Sequence, residues 1–137
     1  MSTSTVGVGK KRATIGIVDN DPYIAKAVSL LLDAQGYGSI CFSSAEEFLR
    51  RYATEKLDCL LLDINLDGMS GMDLQRILIA RGSALPVIFI TGRGDDHTIA
   101  NAIDLGCVAF LHKPFASSSL KSALSMALGP KPEPHAA

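Results

Sequence analysis

A chain of 137 residues is long enough for one hydrophobic core and short for two. Apolar residues make up 47% and charged residues 20%, as in ordinary globular domains. The formal net charge of −1 conceals basic flanks: with Lys10, Lys11, Arg12, Lys131 and Glu133 set aside, the remainder is acidic by about four charges, which argues against nucleic acid as a main partner.

Residues 1–12 (MSTSTVGVGKKR) are small and polar, then basic, and read as a flexible tail. Five short runs rich in Ile, Val and Leu follow at 14–19, 38–42, 58–63, 86–91 and 107–111, separated by stretches with a 3.6-residue period. The first such stretch opens on Asp21 and Pro22, a capping side chain followed by the residue suited to the first helical position. Gly36 closes it after Ile24, Val28, Leu31 and Leu32 have faced inward. Tyr23, Ala27, Leu30 and Ala34 make a second apolar stripe on this helix, which either buried packing or an interface would explain. Ser44 with Glu47 forms a capping box for a second helix, and Ser70 with Asp73 a weaker one for a third. Asp95 and Asp96 open a fourth helix that Gly106 ends. Ser117 opens a fifth, in which Leu120, Leu124 and Leu128 repeat. Residues 130–137 hold three prolines and read as a second flexible tail, leaving 13–129 as one domain.

No apolar stretch reaches the roughly 18 residues of a membrane span, and residues 1–12 lack an apolar signal core. Cys41, Cys59 and Cys107 each lie in an apolar run and read as three buried, reduced thiols. Both features fit a cytoplasmic location. His97, His112 and His135 have no second His or Cys at ligand spacing and read as surface histidines.

Five strands alternating with five helices describe an α/β domain with a central five-stranded parallel sheet and helices on both faces. In such sheets reactive groups gather beyond the carboxyl ends of the strands. Those ends carry Asp19, Asn20 and Asp21 after the first strand, Asp63 at the third, Thr91 at the fourth and Lys113 just past the fifth. A carboxylate such as Asp63 can attack phosphorus if the developing negative charge is neutralised. A divalent cation on oxygen ligands, an ammonium and a hydroxyl are the groups that do this, and the chain supplies candidates for each.

The segments IGIVDND, LLLDINLDGMSG and FLHKPF, with the pair Thr91 and Gly92 between the last two, resemble the response-regulator receiver family of two-component systems in order and spacing. The resemblance covers roughly residues 13–128. It implies a flavodoxin-like (βα)5 fold with strand order 2-1-3-4-5. It implies that Asp63 is the phosphoacceptor, and that Asp19, Asn20, Asp63 and the backbone carbonyl of Asn65 hold Mg²⁺ or Mn²⁺. Thr91, Gly92 and Lys113 would surround the phosphoryl group, with Gly92 leaving room for the donor. Thr91 and Phe110 would form the switch, and the peptide bond before Pro114 would be cis. A histidine kinase or histidine phosphotransfer protein would be the donor, and a downstream protein the target. The chemistry would be limited to the domain's own phosphotransfer and slow dephosphorylation.

Three positions depart from the family pattern. Asn20 stands where a second acidic metal ligand is usual; an amide oxygen still coordinates, but one negative charge is lost. Asp21 could restore that charge, its cap role being the simpler use. Asp67 replaces a frequent proline and leaves the loop after Asp63 less stiff, while Phe110, often tyrosine, has only packing to hold its inward state.

Asn20 supports a rival reading, a receiver-shaped interaction module that is not phosphorylated; Asp63, Thr91 and Lys113 oppose it. The isolated receiver of a longer transcription regulator is a further reading. An aspartyl-phosphate phosphatase of the haloacid-dehalogenase type needs a second Asp two residues after its nucleophile, on its first strand, and Asn65 and the third-strand position fail both conditions. A fifth helix charged only at Lys121, beside the second stripe of the first helix, predicts a weak homodimer through those two helices. The alternative surface, the fourth helix and fifth strand, is made acidic by Asp95, Asp96 and Asp104.

Overall fold

The computed structural model describes residues 12–92 and 96–129. Five strands, β1 (Thr14–Val18), β2 (Gly38–Phe42), β3 (Cys59–Asp63), β4 (Val87–Thr91) and β5 (Ala109–His112), form one parallel sheet in the order β2-β1-β3-β4-β5. Five helices connect and follow them: α1 (Pro22–Ala34), α2 (Ala45–Arg51), α3 (Gly71–Ala80), α4 (Asp96–Asp104) and α5 (Ser117–Leu128). A 3-10 turn at Tyr52–Thr54, not expected from the sequence pattern, extends α2, and Tyr52 there stacks on Phe48 with ring centroids 5.1 Å apart.

Residue alternation along the strands divides the core in two. Ile15, Ile17, Cys59, Leu61, Ile88, Ile90 and Leu111 face α1 and α5, meeting Val28, Leu32, Leu120 and Leu124. Val18, Leu60, Leu62, Val87 and Phe89 face the opposite way, onto Phe48 of α2, Leu74 and Leu78 of α3 and Ala102 of α4. Strands β3 and β4 are buried throughout, as strands covered on both sides should be, whereas β2 and β5 are edges with exposed positions at Cys41 and His112.

The helix ends follow the local signals. Asp21 caps α1 through its carboxylate, which accepts from the backbone N–H groups of Tyr23 and Ile24. At the other end Gly36 has φ 90°, its N–H donates to the Asp33 carbonyl and that of Tyr37 to the Leu32 carbonyl, the pairing that closes a helix around a left-handed residue. Ser44 accepts from the Glu47 N–H, but the returning carboxylate takes the N–H and hydroxyl of Ser43 rather than of Ser44, so the box is offset by one residue. Ser70 accepts from the Asp73 N–H, and the Asp73 carboxylate goes to Arg76 instead of back to the cap. Gly106, at φ 77°, follows the end of α4, and Asp95 lies outside the described residues.

Several expectations need correction. The fifth strand starts at Ala109, not 107, because Gly106 in its left-handed conformation and Cys107 are used to enter the sheet. Only Cys59 is a buried thiol, pushed up to about 12 by desolvation; Cys107 is half-buried and Cys41, on the edge strand, is exposed. Arg12, assigned to the tail, is anchored: its guanidinium donates to the Gly36 carbonyl and to the Asp33 carboxylate, at the C-terminal end of α1 where a cation is favoured. Residues 1–11 and 130–137, the rest of both expected tails, lie outside the described residues. The stripe of Tyr23, Ala27, Leu30 and Ala34 is exposed at all four positions, which removes buried packing as its explanation.

Candidate functional site

The alternation that sends Ile15, Ile17, Leu61 and Leu111 to one face continues to the strand ends and lines up Asp19, Asp63 and Lys113. Lys113 Nζ donates to Asp63 Oδ2 at 2.8 Å and to Asp19 Oδ2 at 2.9 Å. Both carboxylates are only 5% exposed, so they are drawn out of water and held by this one ammonium and two backbone N–H groups. Asp63 Oδ1 accepts from the Asn65 N–H at 2.8 Å, and Asp19 Oδ1 from the Asp21 N–H at 2.9 Å.

Burial pushes the Asp63 carboxyl above its ordinary range; Lys113 and the Asn65 N–H counter this only in part, and Asp19 adds to it by repulsion. Burial works to lower the Lys113 pKa, but the hydrogen bonds to Asp63 and Asp19 outweigh it and raise the net value. The lysine is therefore firmly charged, while ionised Asp63 is held at some cost.

Thr91, fully buried at the end of β4, donates its hydroxyl to Asn65 Oδ1 at 2.8 Å. Asn65 thus holds Asp63 through its backbone and Thr91 through its side chain, a double role the sequence pattern did not reveal. An open cleft of about 420 Å³, lined by Asp63, Asn65, Leu66, Asp67, Gly92 and Lys113, gives access to the carboxylate. A Cβ at Gly92 would meet nothing within 4 Å, consistent with an approach route from that side. The Lys113–Pro114 peptide is cis. Phe110 is half-buried on β5, with its ring 5.3 Å from that of His112.

Two further features were missed in the sequence. Asn20 and Asp67, both departures from the family pattern, meet each other: Asn20 Nδ2 donates to Asp67 Oδ2 at 3.0 Å. Gly71, the first residue of α3, lies so close to β3 that a Cβ there would sit 2.2 Å from the Asp63 carbonyl oxygen. The neighbour is backbone and cannot yield cheaply, so Gly71→Ala should destabilise the fold by about 2–3 kcal/mol. Chemical denaturation of the metal-free protein checks this, and a variant as stable as the wild type would contradict it.

The donor set fits a hard cation. Asp19, Asp63, the Asn20 amide and the Asn65 carbonyl offer only oxygen, and one ammonium leaves the two buried carboxylates with a net negative charge. Each carboxylate oxygen already accepts one hydrogen bond and keeps a second lone pair.

Residues 15–125 match the family model of the response regulator receiver domain. This chain belongs to that family. The receiver is 38% identical over 123 residues to the response regulator protein TmoT of Ectopseudomonas mendocina, a match covering 90% of this chain and 56% of TmoT. It is 31% identical over 114 residues to the transcriptional regulatory protein FixJ of Bradyrhizobium diazoefficiens, covering 83% of this chain and 56% of FixJ. It therefore spans about half the length of these relatives. Among solved structures, that of FixJ-N aligns with a TM-score of 0.79 at 31% identity, covering 85% of this chain and 94% of that one. A response regulator receiver protein from Burkholderia phymatum aligns at 0.78 and 31%, covering 88% and 98%. The flavodoxin-like fold expected from the resemblance is the observed one.

Proposed function

We propose that this receiver domain is a phosphorylation switch that takes a phosphoryl group onto Asp63 from a phosphohistidine of a histidine kinase or phosphotransfer protein. The observation that carries the reading is the pair of buried carboxylates bridged by Lys113, of which Asp63 lines an open cleft. One Asp63 oxygen attacks phosphorus in line, a P–O bond forms as the P–N bond breaks, and the departing imidazole keeps the electron pair and takes a proton from solvent. Asp19, Asn20, Asp63 and the Asn65 carbonyl would hold Mg²⁺ or Mn²⁺, which when bound neutralises the transferring oxygens. Lys113 neutralises charge from the other side. The Thr91 hydroxyl, now on Asn65, is the donor that would exchange to a phosphoryl oxygen, and Phe110 would follow it by repacking.

The domain would work in the cytoplasm and pass its state to a downstream protein, alone or as the receiver of a longer regulator; nucleic acid and membrane are not direct partners in this reading. Among the described residues no helix is long and apolar enough to cross a membrane. Mass spectrometry after incubation with acetyl phosphate tests the function: one added phosphoryl group with Mg²⁺ and none in EDTA. Absence of the adduct in both would favour the module that is not phosphorylated.

Self-association is supported by the surface of α1. Tyr23 is 86% and Leu30 58% exposed there, and Met126 on α5, which packs on the same sheet face, is 66% exposed. A weak two-fold dimer through α1 and α5, present without phosphate, covers this patch. Sedimentation should give a dimer at high micromolar concentration for the wild type and a monomer for Leu30→Glu. A wild-type monomer, or a dimer indifferent to the substitution, rules the interface out.

A further inference from the structure

We infer that Asp67 is a positioning residue of the cation site: it returns the negative charge that Asn20 leaves out, and it fixes the Asn20 amide so that oxygen is the atom offered to Mg²⁺. The inference rests on the reading of this site as a Mg²⁺-assisted phosphoacceptor. Its starting point is the 3.0 Å contact between Asn20 and Asp67, which lie on different loops. An ionised carboxylate only accepts, so the amide atom facing Asp67 must be the N–H₂ group; the reverse orientation would set two acceptors against each other. The amide nitrogen has no lone pair for a hard cation, whereas the amide oxygen does. Orientation therefore decides whether residue 20 can be a ligand at all, and Asp67 sets it.

Charge points the same way. Asp21 is committed to the N-terminus of α1, where one carboxylate oxygen takes the N–H groups of both Tyr23 and Ile24. Asp67 instead lines the cleft beside Asp63 and Lys113. Its loop is tied down without proline: the Met69 N–H donates to Glu46 Oε2 at 3.1 Å, and Asp67 itself is held by Asn20. A carboxylate fixed within a few ångströms of a divalent cation attracts it even where water screens the pair, and partners one step beyond the ligands commonly alter metal affinity by about tenfold or more. The two departures from the family pattern thus compensate each other.

The test is calorimetric titration of the metal-free protein with MgCl₂, with no phosphodonor present, on the wild type, Asp67→Asn, Asn20→Asp and the double variant. Asp67→Asn should weaken Mg²⁺ binding about tenfold without lowering the melting temperature, since its side chain is exposed. Asn20→Asp should bind Mg²⁺ more tightly than wild type and melt lower without metal, because it faces Asp67 with a second carboxylate. In the double variant the charge has moved back to position 20, so the Asp67→Asn change should cost far less affinity there than in the wild type, and the metal-free melting temperature should recover. Wild-type binding that Asp67→Asn leaves within twofold overturns the inference while leaving the site reading intact. No Mg²⁺ binding by the wild type, with no acyl-phosphate labelling of Asp63, overturns both.

Discussion

Asp63→Asn should gain no phosphoryl group from acetyl phosphate and Mg²⁺ under conditions expected to label the wild type once, and without metal it should melt higher than the wild type. Loss of labelling follows from the nucleophile: an amide oxygen at this position cannot form an acyl phosphate. The gain in stability follows from burial, which disfavours the charged carboxylate more than Lys113 and the Asn65 N–H favour it. A carboxyl whose folded-state pKa is raised contributes stability that is fully present below the unfolded value and lost as pH rises through the folded one. Metal-free wild type should therefore become less stable as pH rises above the ordinary carboxylate range, through this group, and the variant should lack that component. Stoichiometric labelling of Asp63→Asn would move the acceptor elsewhere, and a melting temperature several degrees below wild type would show that the ionised pair stabilises the fold.

Much of this was legible because the sequence signals are local. Asp21-Pro22 and Gly36 bound α1 as expected, since a cap and a left-handed closing residue act over a few residues. Strand identity was legible from apolar runs. Strand ends were less so, because where the ladder stops depends on partners: Asp58, just before β3, donates its N–H to the Thr14 carbonyl and its carboxylate accepts from the Thr14 N–H. The site's members could be named from the carboxyl ends of the strands, since chemistry in a parallel sheet gathers there. Their mutual contacts could not. That Asn65 would hold Thr91, that Glu46 would reach Met69 and that Asn20 would meet Asp67 are contacts between segments distant in the chain, decided by loop geometry that no periodicity encodes. Gly71 lies in the segment LLLDINLDGMSG, yet its role, room for the backbone of Asp63, shows only when the start of α3 and the end of β3 are set side by side.

Lys113→Met should have the largest effect on stability. The methionine keeps much of the aliphatic volume but removes the one ammonium that joins Asp19 and Asp63, both of whose side chains are 6% exposed. Removing one partner of a buried ion pair leaves uncompensated charge, at a cost of about 3 kcal/mol. The gap between variant and wild type should be widest near neutral pH. It should shrink on acidification, because the unpaired carboxylates of the variant take up protons and escape the penalty. It should also shrink at strongly alkaline pH, where the wild type loses its lysine charge: the folded pKa of Lys113 is raised, so its contribution is complete below the unfolded value and disappears as pH rises through the folded one. Mg²⁺ should stabilise the variant more than the wild type, since a cation then relieves two bare carboxylates rather than competing with an ammonium. Labelling by acetyl phosphate should fall sharply in spite of tighter metal binding, because the positive charge opposite the cation is gone. Thermal melts across pH in EDTA and in MgCl₂ measure the stability effects, and mass spectrometry measures the labelling. A variant as stable as the wild type at neutral pH without metal would mean that the lysine does not neutralise the buried pair, and the electrostatic account of the site would have to be abandoned.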